Sequence, residues 1–210
     1  MSLKTILATA VAVTLSAGAA SAAVLDFYQE ALGNERGILN GNSVMMSGVN
    51  VTFNATSTNS QPGDTVAAYF DNGAGLGVCS DLKPGIGPGD NDCDPGSDDN
   101  LQGGEELFLS FDRAFNLSGL MLRAEGHGWL SGAVTVLFAV NGGTLMDYTY
   151  AELTAKTFSN VTSMRFAYGG NAPDQYYLSA ATVVPVPLPA AGMMLLAGLG
   201  ALGAARRRRG

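Results

Sequence analysis

Short apolar runs that alternate with polar residues, each ended by Gly or Asn, recur along most of this chain. Leu107, Leu109 and Phe111 fall on one side of an extended segment, and Val134, Val136 and Phe138 do the same. A repeat of two places one strand face in a core and the other toward solvent, and it cannot be read as an amphipathic helix. The pattern predicts strands over 43–54, 65–70, 107–111, 117–124, 133–140, 144–150, 161–167 and 176–184. Asn141-Gly142-Gly143 separates two of these runs and predicts a hairpin, because Asn and Gly tolerate positive φ. Only 23–32 and 151–155 suggest short helices. No internal repeat of fixed period is present. The expectation is an all-β fold, an antiparallel β-sandwich of jelly-roll-like type, with an open barrel as the competing architecture.

Both ends of the chain differ from this pattern. Lys4, the apolar run Ile6–Leu15 and the small residues Ala20-Ser21-Ala22 have the layout of a signal peptide over residues 1–22. Ala23 is the next candidate for the cleavage position, and the run is short for an internal membrane helix. At the other end, Pro185, Pro187 and Pro189 hold the chain extended ahead of an uncharged run from Ala190 to Ala205. Those 16 residues span about 24 Å as a helix, against roughly 30 Å of bilayer hydrocarbon. Arg206, Arg207, Arg208 and Arg209 can snorkel to the interface and hold the C-terminus in the cytoplasm. An ordinary tail anchor shares these features. What remains between the ends, 23–184, is long enough for one domain with its own core.

The order of motif, apolar run and arginine cluster resembles the PEP-CTERM family of sorting tails. The match is to the variant named for Val-Pro-Leu-Pro-Ala, here Val186, Pro187, Leu188, Pro189 and Ala190. The resemblance covers 185–210 and implies a protein of a Gram-negative bacterium, exported by the Sec machinery. It further implies a transient inner-membrane intermediate, processing by an exosortase-type transpeptidase, and delivery to the cell surface or extracellular matrix.

Charge narrows the partners of the exported part. All 18 acidic residues lie between Asp26 and Asp174, whereas only six of the 11 basic residues lie outside the two end segments, leaving a net charge of −12. Such a domain repels nucleic acid, and it repels anionic polysaccharide unless cations bridge the two.

One internal stretch, 71–104, is rich in Gly, Asp, Asn and Pro, lacks apolar periodicity and reads as a long loop. It holds Cys79 and Cys93, an even pair in an exported chain, which points to a disulfide. Free thiols are the alternative; a zinc site is poorly served by a chain whose sole histidine is His127. Asp90, Asp92 and Asp94 have the alternate spacing of calcium loops, with Asp98 and Asp99 available to complete a set of oxygen donors for Ca²⁺. Pro95 and Leu101 stand where an EF-hand requires Gly and Glu, so the site would be of another loop type. The same residues also build ordinary solvated turns, and both readings stand. The wording from Gly75-Leu76-Gly77-Val78-Cys79 through Asp98-Asp99-Asn100 to Glu105-Glu106 resembles a pattern of exported domains carrying these tails.

Catalysis has little support. No Gly-x-Ser-x-Gly elbow occurs, and a triad would have to use His127. Glu105, Glu106, Asp112 and Glu125 are the carboxylates that could pair for glycoside hydrolysis if the fold brought them together. Trp129, Tyr148, Tyr150, Tyr168, Tyr176 and Tyr177 could stack on sugars, or equally cap a sandwich core. The sequence therefore points to a non-enzymatic surface protein, binding polysaccharide with Ca²⁺; an exported glycan hydrolase and a purely structural matrix component are the alternatives.

Overall fold

The computed structural model describes residues 21–84 and 91–186, together with Gly198 and Gly200. Apart from Gly198 and Gly200, the apolar run 190–205, expected as a transmembrane helix, lies outside the described residues with Arg206 to Arg209, as does nearly all of the expected signal peptide. Among the described residues no helix is long and apolar enough to cross a membrane.

The chain opens with β1 (Ala23–Asp26) and α1 (Phe27–Ala31), then β2 (Arg36–Leu39), β3 (Ser43–Met46), β4 (Val49–Ser57), β5 (Ala67–Asp71) and β6 (Gly75–Cys79). A short ribbon of β7 (Leu82–Pro84) and β8 (Asn91–Cys93) follows. The second half comprises β9 (Glu105–Ala124), β10 (Thr135–Val140), β11 (Met146–Thr149), α2 (Tyr150–Ala155), β12 (Phe158–Ala167) and β13 (Tyr176–Pro185). All pairings are antiparallel, and the fold is the expected all-β sandwich.

Hydrogen bonding runs β11-β10-β12-β9-β13-β6-β5-β2, with β3-β4 attached to β9 and β1 to β13. Two layers arise because β9 serves both. Its first part, through Phe111, pairs with β4 and β12, and its last part, from Phe115, pairs with β13 while keeping β12 at Phe115 and Leu117. The corner lies between, where the β9–β12 register jumps from Ser110↔Ser163 to Phe115↔Val161. Such an insertion bends a strand and increases its twist. Tyr176 ties the two arms together, pairing with Ala124 through its backbone while its hydroxyl donates to the Ala167 carbonyl at 3.0 Å. Since Ala167 pairs with Glu106, both ends of β9 meet at one pole of the molecule and its corner forms the other.

Between the layers, alternate residues of β4 (Val49, Val51, Phe53, Ala55) and of β9 are buried. Phe53 meets Phe70 of the opposite layer edge-to-face, with ring centroids 5.7 Å apart. Truncating either ring would cost about 3–5 kcal/mol.

Several elements differ from expectation. The run 43–54 is two strands, because Ser47 and Gly48 adopt φ of 49° and 77° and close a tight hairpin. The runs 107–111 and 117–124 are one strand of 20 residues. Segment 23–32 begins as β1 before turning helical at Phe27, with Asp26 accepting from the Gln29 N–H at 2.9 Å. The stretch 71–104 is not one loop: it contains β6, β7 and β8. Its strands do not alternate because β5 and β6 are buried on both faces, by the main core inside and by the ribbon outside. A second small core of Ala67, Tyr69, Cys79, Leu82 and Cys93 forms between them. The hairpin at Asn141-Gly142 is as expected, with φ of 54° and 69°.

Candidate functional site

The polar groups gather at the pole where β13 begins, opposite the end from which the tail leaves. The segment after the ribbon crosses the outside of β6, where Val78 donates to the Asn100 carbonyl and Leu101 bridges Tyr176. Gly77 permits this approach, since a Cβ there would lie 2.1 Å from the Asp99 carbonyl oxygen. The expected disulfide is present, joining Cys79 of β6 to Cys93 of β8. It braces the ribbon against the sheet.

Two acidic sites result. The first is an open cleft of about 470 Å³ lined by Asn59, Asp64, Asp81, Asp94, Ser97 and Asp98, among others. Its floor is a buried hydrogen-bond network. Asp98 accepts from the Ser80 N–H at 3.1 Å and from the Gln102 side chain. Glu105, 1% exposed, accepts from Ser80 Oγ at 2.8 Å and the Gln102 N–H at 2.9 Å. Burial nevertheless pushes the Glu105 carboxyl up to about 7, because these bonds offset only part of the lost hydration.

The second site lies on the far side of segment 98–101. Carboxylate oxygens of Glu35, Asp71 and Asp99 all lie within 4.8 Å of one another. At 4.8 Å or closer, each ionised pair repels by at least about 3.5 kcal/mol at an effective dielectric of 20. Asp71 is pushed up to about 6, by burial first and by the Asp99 charge second, and burial also raises Asp99. Tyr177 donates to Asp99 at 2.6 Å and Tyr69 to Glu35 at 3.0 Å. His127, held at φ 61° in the turn after β9, brings Nε2 to 2.9 Å from Asp71 Oδ2.

The calcium set read from the sequence is thus divided. Asp94 and Asp98 share the cleft, Asp99 belongs to the second cluster, and Asp90 lies outside the described residues. Asp92 is exposed on β8, on the face opposite the buried Cys93, because this segment is a strand and not a loop wrapped round one point. Glu35 and Asp71 were missed. They are far from Asp99 in sequence, and only the folding of α1, β5 and segment 98–101 onto one another brings them close.

The expected aromatic set does not form one platform. Tyr176 and Tyr177 are core residues, while Trp129 is 59% exposed. Arg123 stacks between Trp129 and Tyr28, 4.6 and 4.4 Å from their ring centroids. The four carboxylates considered for hydrolysis are strung along β9 and just beyond it. Glu105 is buried in its network, neighbouring Glu106 points to the other face and pairs with Arg165, and Asp112 sits near the corner beside Arg113.

At the opposite pole β13 leads directly into the tail. Val186, first residue of the sorting motif, still donates to the Ala114 carbonyl at 3.3 Å, and Pro187 to Ala190 lie outside the described residues. The fold defines an antiparallel, disulfide-braced β-sandwich with an acidic pole and a C-terminal extension. Residues 185–209 match the family model described as the PEP-CTERM protein-sorting motif. The chain therefore carries a PEP-CTERM tail, which marks an exported protein targeted to exosortase and sorted, through membrane anchoring, to the cell surface. No curated protein and no solved structure matches the chain.

Proposed function

We propose that this protein is a non-enzymatic surface module that binds polysaccharide at its acidic pole, with Ca²⁺ bridging the cleft carboxylates and the glycan. Residues 1–22 direct Sec export, and the run 190–205 holds the chain in the inner membrane until the tail is processed. The observation that carries the reading is the polarity of β13. It begins beside the cleft, where Gln175 just ahead of it hydrogen-bonds Gln102, and ends at the sorting motif. Its ten residues span about 30 Å, so a chain held by its tail presents the cleft away from the membrane. Glu105 is buried in its network and its neighbour Glu106 points to the other face, so this adjacent pair does not flank one bond as the two carboxyl groups of a hydrolase must, which favours binding.

The test is binding of the full-length chain to extracellular polysaccharide, measured in Ca²⁺ and in chelator. Calcium-dependent retention that Asp94→Asn weakens, with no reducing ends released, supports the reading. Release of sugar would point instead to the hydrolase, and absence of binding under both conditions to a structural component of the matrix.

A further inference from the structure

We infer that Glu35, Asp71 and Asp99 form a site for a hard divalent cation, Ca²⁺ by the chemistry of its donors, separate from the cleft. Calcium takes six to eight oxygens at about 2.4 Å, so ligands on opposite sides of one ion stand about 4.8 Å apart. The three carboxylates meet that spacing. The Asp71 side chain is 7% exposed and its Oδ2 is buried without a hydrogen bond, although His127 Nε2 stands at ion-pair distance. One half-exposed histidine, which makes no aligned hydrogen bond, offsets only part of the cost of burying that oxygen.

Charge balance points the same way. Among the described residues, His127 is the one basic group in ion-pair contact with the cluster. Arg36 is engaged by Glu30, and Arg123 is stacked between two aromatic rings. Two tyrosine hydroxyls each fix one carboxylate oxygen, on Glu35 and on Asp99, leaving the second oxygen of each for a ligand. Outer contacts of this kind orient metal-binding carboxylates. Glu35 is exposed, which gives the ion a path in and leaves room for water to complete its shell. The ligands come from the connection after α1, the end of β5 and the segment after the ribbon, so the ion would lock three separate parts of the pole together.

The experiment uses the full-length chain in detergent, stripped of metal and titrated with CaCl₂ while thermal unfolding is followed. The midpoint should rise with Ca²⁺. Glu35→Gln and Asp71→Asn should each diminish that rise, and Asp112→Asn, near the corner of β9 and away from both acidic sites, should keep it. Without metal, Asp71→Asn should unfold above the wild type, since it removes one of three crowded charges; this also shows that the variant folds. A midpoint unmoved by millimolar Ca²⁺ overturns the assignment, as does a rise that both cluster variants keep. A rise lost only in Asp94→Asn overturns it too, and moves the cation to the cleft, which leaves the proposed function intact.

Discussion

Ala23 pairs with Val183 across β1 and β13, so the first residue of the folded sheet lies beside its last strand, two residues short of that strand's end at Pro185. The residues before Ala23 and the sorting tail therefore adjoin the domain at the same pole. Cleavage after Ala22 keeps β1 whole, whereas cleavage after Ala23 removes that pair. Intact mass of the exported protein should show Ala23 as its first residue. Leu25 is fully buried, and Leu25→Ala should cost about 2–5 kcal/mol by urea unfolding. A mature chain that starts beyond Leu25 with unchanged stability would sink the idea that β1 is structural.

Replacing both Cys79 and Cys93 by Ser should lower stability by about 3 kcal/mol, the chain-entropy value for closing a loop of this length. Urea midpoints of the oxidised wild type and the double variant measure it. A loss under about 1 kcal/mol would mean that Leu82, packed over Gly37, already holds the ribbon without the bridge.

Gly77→Ala should be far more damaging than Gly142→Ala. At Gly77 the new Cβ meets the backbone of Asp99 and Asn100 at 2.1 and 2.6 Å, and neither can retreat without opening the segment that carries Asp99. A loss of about 3 kcal/mol or more is expected. Gly142 has a φ of 69° but open space around it, so only the left-handed strain of about 1–2 kcal/mol applies. The reverse ranking in thermal unfolding would contradict the packing of segment 98–101 on β6.

Glu105 gives the fold a definite pH dependence. Its folded value, about 7, lies above the ordinary glutamate value of about 4.5, so the native state binds the extra proton between those limits. Stability then falls as pH rises from about 4.5 to 7 and levels off above, by on the order of 3 kcal/mol. Glu105→Gln should flatten that part of the stability–pH curve. An unchanged slope would assign the titration to another group.

Strands with one wet face were legible because alternation records one-sided burial, as in Leu107, Leu109 and Phe111. β6, buried on both faces, carries no such signature and was hidden in the stretch that read as a loop. Nor could a sequence window show β9 as one strand, because the polar residues around its corner, Asp112 and Arg113, read as a break. The disulfide was legible from the count of cysteines, whereas the division of the acidic residues between two sites was not. Asp98 and Asp99 are adjacent in the chain, yet successive residues of an extended segment point to opposite sides, one into the cleft and one to Tyr177.

The amino-acid sequence alone determined the strand class, the cysteine pair and the C-terminal sorting signal. These depend on local spacing, covalent chemistry and a short linear motif that an enzyme reads in extended form. Tertiary structure decided which carboxylates meet. Glu35, Asp71 and Asp99 become neighbours only when α1, β5 and the segment after the ribbon fold together at β6, and contacts between residues so far apart in the chain leave no local trace.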